Sequence, residues 1–144
     1  MPEQSYSNHT KLAPPFHFVL APLTVAVLIG SLVNLYKSLG DHERLYNASL
    51  ICAMAVALFL LAFLARVFAL RAQDRAIRAE ENLRHFALTG RLLDARLTLA
   101  QIIGLRFASD AEFPALASRA AAEGLSLDQV KKSVKNWRAD NDRL

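Results

Sequence analysis

Apolar and polar positions divide the chain into a first half nearly free of charge and a second half dense in it. Residues 16–36 and 45–65 each run 21 residues without Asp, Glu, Lys or Arg. A helix of that length rises roughly 30 Å, the depth of a bilayer's hydrocarbon core. The polar stretch 37–44 separates the two runs. No Gly or Pro occurs between Gly40 and Gly90, so the second helix is predicted to continue out of the apolar zone to about Leu88. Asp74 with Arg78, and Glu80 with Arg84, are spaced for i,i+4 pairs on that extension. The periodicity then changes to short amphipathic segments. Thr98 with Gln101, Ser109 with Glu112, and Ser126 with Gln129 each match a capping box, and Gly124 is placed to end the middle helix. Apolar sets follow each start: Leu99, Ile102, Ile103 and Arg106-Phe107; then Phe113, Leu116, Ala117 and Ala120; then Leu127, Val130, Val134 and Trp137.

The expected fold class is all-α: a two-helix transmembrane hairpin whose second helix extends into the cytoplasm, followed by a small three-helix tail. The expected divisions are an N-terminal arm (1–15), a first span (16–36), an external loop (37–44), a second span (45–65), a cytoplasmic extension (66–89) and a helical tail (90–144). A core as small as the tail's is marginal alone.

Two features of the spans refine this picture. Pro22 would free the carbonyl of Phe18, with His17 and Thr24 near enough to re-satisfy it; alternatively the regular helix begins near Pro22. Asn34, near the end of the first run, could hydrogen-bond Asn47 or Ser49 at the start of the second. In the second helix alanines recur at a seven-residue step, Ala48, Ala55, Ala62, Ala69 and Ala76. Ala65, Ala72 and Ala79 lie at alternate positions. Eight of the ten alanines between 48 and 79 therefore share one stripe, which predicts a close helix-packing interface. Its partner could be the first span, a second copy or another protein.

Charge sets the orientation. Of the 17 Lys/Arg, 14 lie from Arg66 onward, against 10 Asp/Glu there. Five arginines, Arg66, Arg71, Arg75, Arg78 and Arg84, follow the second run, and the positive-inside bias then puts both termini in the cytoplasm. The first run is a poor secretory signal, lacking a basic start and a small-residue cleavage pattern. Cys52 is the lone cysteine, so no intrachain disulfide forms. Lys131, Lys132, Lys135 and Arg138 make a candidate basic surface. With Ala120, Gly124 and Val130 at helix-turn-helix spacing, that surface could meet nucleic acid, anionic lipid headgroups beside Trp137, or solvent. No phosphate loop, metal cluster or nucleophile motif is present. His9 and His17 flank the membrane entry, where interfacial hydrogen bonding is their ordinary role. The expectation is a non-enzymatic protein without a cofactor. Its partners are the bilayer and either itself or another membrane protein.

The run Gln4-Ser-Tyr6-Ser-Asn8-His9 with Pro15-Phe16-His17, the run from Gln101 to Leu116, and the run from Val130 to Arg138 together resemble a family of small bacterial membrane proteins of unknown function. The resemblance spans nearly the whole chain. It implies a bacterial inner-membrane protein with two spans and a cytoplasmic tail, and supplies no activity or catalytic residue.

Overall fold

The computed structural model describes residues 5–7 and 12–140. Among these residues the fold is all-helical. A π-helical stretch, Pro15–Leu20, leads into α1 (Ala21–Lys37). Then come α2 (His42–Thr89), α3 (Leu99–Leu105), α4 (Phe113–Glu123) and α5 (Leu127–Ser133). The β structure described is one isolated bridge, Ala108 to Trp137. The chain forms two compact units, Leu12–Leu70 and Arg71–Leu144 with Met1–Lys11. Helix α2 contributes to both.

The first unit is a helical hairpin. Its helices overrun the charge-free runs, so the connection shrinks from the expected 37–44 to residues 38–41. Asp41 caps α2, its Oδ1 accepting the Arg44 amide at 3.2 Å. Both helices are long and apolar enough to cross a membrane, at 23 residues for Pro15–Lys37 and 48 for His42–Thr89. The break at Pro22 is resolved by the π-helical turn. The Ala21 N–H reaches back to the Phe16 carbonyl, and Pro22 enters at the start of the regular helix, where its missing N–H costs least. Neither candidate side chain serves Phe18. The Thr24 hydroxyl donates to the Leu20 and Ala21 carbonyls, and His17 Nδ1 pairs with Ala13.

The expected Asn34 pairing across the hairpin is also absent. Asn34 and Asn47 are exposed, and the Ser49 hydroxyl donates to the Tyr46 carbonyl of its own helix. The polar groups that are buried are Ser31 and Ser38, whose hydroxyls donate to Leu28 and Asn34 carbonyls one turn back. Covered positions on α1 recur as Ala21, Thr24, Leu28, Ser31, Leu35 and Ser38. On α2 they recur as Leu45, Ala48, Cys52, Ala55, Phe59, Ala62 and Arg66. Both series alternate steps of three and four, the pattern of a knobs-into-holes seam. The guanidinium of Arg66 closes the far end, 5.4 Å from the centre of the Phe16 ring.

The second unit has its core among the residues after α2, and the later part of α2 docks on it. Its core joins Leu97, Ile102, Leu105, Phe107, Phe113, Leu116, Ala120 and Val130, with Leu93, Leu125 and Trp137 packed at the rim. Two capping boxes, Thr98 with Gln101 and Ser126 with Gln129, start α3 and α5. The Gln101 amide then donates to the Ala120 and Leu125 carbonyls at 3.0 and 2.8 Å, tying α3 to the end of α4. Gly124, at φ 63°, supplies the left-handed turn after α4. Gly104 lets α3 and α5 touch, since a Cβ there would lie 3.0 Å from Val130 Cγ1. Leu99 is more exposed than its place in the apolar set predicts, at 37%.

Arg84 fixes α2 to this core. Its guanidinium, with the side chain 11% exposed, donates to Glu81 at 3.0 Å, to Asp110 at 2.7 Å and to the Ala108 carbonyl at 2.7 Å. It also sits 4.4 Å from the centre of the Phe113 ring. The expected Glu80–Arg84 pair is therefore replaced by Glu81–Arg84, because Glu81 faces the core and Glu80 is exposed. The Asp74–Arg78 pair does not form. We predict that Arg84→Met destabilises the second unit by about 3–5 kcal/mol, leaving the buried Glu81 carboxylate to the more distant Arg138, 4.0 Å away. Glu81→Leu in the same chain should recover part of that loss, measured by thermal unfolding of the full chain in detergent.

Candidate functional site

Two surfaces were singled out by sequence, the alanine stripe and the basic residues of the tail. The structure divides the stripe. Ala48 and Ala55 are buried, at 1% and 3% exposure, and Ala62 and Ala69 are half-buried. Ala65, Ala72, Ala76 and Ala79 are exposed. In the hairpin the positions alternating with the seven-residue step are Cys52, Phe59 and Arg66, the last one residue on from the expected Ala65.

The basic residues do not share a helical face. Helix α5 ends at Ser133, not near Trp137, and its seven residues rise roughly 10 Å. Lys131 lies 5.7 Å from the Phe107 ring centre, and Lys132 bonds Asp128 at 2.7 Å. Lys135 and Arg138 belong to an extended return segment. The Arg138 amide donates to the Phe107 carbonyl at 2.8 Å, and Ser109 donates to the Asn136 carbonyl at 3.1 Å. Trp137 is half-buried against Phe107, with ring centres 4.8 Å apart, and so belongs to the tail's own packing. The helix-turn-helix positions Ala120 and Val130 are fully buried, as that motif requires. Arg119 and Ser133, polar where the motif is usually apolar, hydrogen-bond each other across α4 and α5.

Glu112 explains where α5 stops. It was expected to complete a capping box with Ser109, yet α4 has no side-chain cap. The Glu112 carboxylate accepts from the backbone N–H groups of Ser109, Lys135 and Asn136 at 3.2, 3.1 and 3.0 Å. It thereby holds residues 135–136 in extended form. Burial pushes this carboxyl up, but the three N–H donors outweigh it and hold it below the ordinary Glu value.

Three features escaped the sequence reading. Tyr6 hydrogen-bonds Asp128, and Lys132 lies 5.4 Å from its ring centre, so the N-terminal arm latches onto α5. Lys132 first, and Tyr6 second, hold the Asp128 carboxyl below its usual range. The buried Arg106 sits 4.6 Å from the Phe107 ring centre and 3.0 Å from Asp140. A groove of about 330 Å³ opens beside His85, Arg91, Asp94 and Arg96. Its polar groups are largely committed: Arg96 forks onto Asp94, whose carboxyl falls to about 2, and His85 Nδ1 bonds the Arg91 carbonyl. None of these signals is local enough for spacing to reveal. Among the described residues no three His, Cys, Asp or Glu side chains converge as a metal site would require. His9 and Asn8 lie outside the described residues.

The chain belongs to DUF6526, a family of unknown function. The match runs over residues 1–144. No curated protein and no solved structure matches it. The family therefore covers both units and the helix they share, and it assigns no chemistry to either.

Because the Glu112 carboxyl is held low in the fold, its contribution to stability is present above the unfolded value of about 4.5 and is lost as pH falls through the folded value. Glu112→Gln should melt lower than the parent chain at pH 7, by about 1–3 kcal/mol for three charge-assisted bonds weakened. The gap should narrow below pH 4, checked by melting curves across pH 3–7.

Proposed function

We propose that this is a non-enzymatic integral membrane protein of the bacterial inner membrane, in which the hairpin spans the bilayer and holds a cytoplasmic helical module that docks protein partners, itself included. The observation that carries the reading is the uncovered apolar surface of the hairpin. Only 6% and 17% of the most apolar windows of its two helices are buried, whereas a soluble protein's core helix is mostly buried. Phe18, Leu23, Ile29, Leu58, Leu61 and Phe63 are each more than half exposed. Such a surface in water is an aggregation hazard, and in lipid it is solvated.

Orientation rests on the arginines after the second run and on the mixed charge of the connection, where Lys37 and Arg44 are offset by Asp41 and Glu43. The docking role rests on the second unit, a small core fastened to the end of a membrane helix. A second form of the same proposal makes the protein an accessory subunit of a transporter or respiratory complex, with that larger membrane protein as its partner.

The topology is tested by cysteine accessibility in cells, starting from Cys52→Ala. Gly40→Cys should react from outside with a membrane-impermeant maleimide, and Ser118→Cys should react only after permeabilisation. Equal labelling of both positions in intact cells, or recovery of the protein in the carbonate-soluble fraction, would contradict the reading.

A further inference from the structure

On the part of α2 within the second unit, the face turned away from the core carries its own apolar seam. Ala72, Ala76, Ala79, Leu83 and Phe86 follow one another by four, three, four and three residues. All five are exposed, with Leu83 at 68% and Phe86 at 50%. The core-facing residues of the same stretch are Ile77, Glu81, Arg84 and His85, on the opposite side of the helix. The seam is small at one end and large at the other, and none of the described residues covers it. The two charged residues beside it, Arg75 and Glu80, form no ion pair among the described residues.

We infer that this seam pairs with the same seam of a second copy, as a parallel two-stranded coiled coil. A repeating three-and-four pattern is self-complementary, so a two-fold pairing needs one patch only. The charges select the parallel form. Arg75 immediately precedes Ala76, and Glu80 immediately follows Ala79. In a parallel in-register pair, those flanking positions, five residues apart, meet across the interface. Arg75 of each copy then faces Glu80 of the other, twice by symmetry. An antiparallel pairing sets like flanks together instead. The alanines allow close approach of the backbones, while Leu83 and Phe86 supply the larger buried area. Two heptads are short for a coiled coil in free solution. Here the helix is already formed, and the parallel orientation rests on the proposed membrane reading, since two copies in one bilayer leave it on the same side and at high effective concentration.

The test is disulfide crosslinking at matched positions in carbonate-washed membranes. In a Cys52→Ala background, Ala76→Cys, Ala79→Cys and Leu83→Cys are oxidised with copper–phenanthroline beside Arg78→Cys, which lies off the seam. The expected result is an adduct of twice the 15.9 kDa chain at the three seam positions, several-fold above Arg78. Arg75→Glu or Glu80→Arg should each lower the Ala79→Cys yield by about twofold, and the double reversal should restore it. Equal yields at all four positions, no dimer, or adducts of another mass would overturn the proposal. Protein missing from the washed membranes would count against the membrane reading alone; the same four variants oxidised in solution would then decide the pairing.

Discussion

The second unit depends on one guanidinium. Arg84 gathers Glu81 from its own helix, Asp110 and the Ala108 carbonyl from the α3–α4 connection, and the face of Phe113 from the core. A core of this size cannot hold a separate helix by apolar area alone. The planar fork of arginine reaches three acceptors in a fixed geometry while its face rests on the Phe113 ring, an arrangement that the compact ammonium of a lysine does not reproduce. It also explains why a buried glutamate is tolerated on a face otherwise made of Ile77 and His85. With α2 docked there, its opposite face carries Leu83 and Phe86 outward.

A second tier of polar contacts shapes the rest of the tail. Gln101 stitches α3 to the end of α4, and Glu112 gathers the amides of the returning segment. Each gives backbone groups of the connections a side-chain partner, the Leu125 carbonyl from Gln101 and the Lys135 and Asn136 amides from Glu112. Three helices of 7, 11 and 7 residues gain a defined arrangement this way. The apolar residues between them, Phe107 and Phe113 above all, are fully enclosed. In the hairpin the logic is reversed. Its fully buried positions, Ser31, Ser38, Ala48, Cys52 and Ala55, are all small, and most of its large side chains face outward.

Local signals were readable in the chain, and non-local ones were not. The long helix was legible because nothing between Gly40 and Gly90 breaks it. The caps at Thr98 and Ser126 were legible because a capping box is complete within four residues. The Ser109–Glu112 pattern is half realised: Glu112 accepts the Ser109 amide as a capping box requires, but the helix begins only at Phe113, and the same carboxylate also holds the amide of Lys135, 23 residues away. The same contact ended α5 at Ser133, where helical periodicity alone would have carried it to Trp137. Glu80 looked the better partner for Arg84 by spacing, but burial chose Glu81. The alanine stripe was read as a single surface. Its seven-residue step is buried in the hairpin and exposed further on, because the face that is covered changes along α2. The Tyr6 latch and the close approach at Gly104 join segments far apart in sequence and left no local mark.

The central claim is that α2 is one continuous helix that serves the hairpin at its start and carries the docked tail at its end. Hydrogen–deuterium exchange of the full chain in lipid nanodiscs tests it most directly. Slow exchange is expected from residue 45 to residue 88 without interruption, with the amides of α3 and α4 protected alongside the second half of α2. Fast exchange in a window around Leu70, or tail amides that exchange independently of α2 and are unaffected by Arg84→Met, would contradict it.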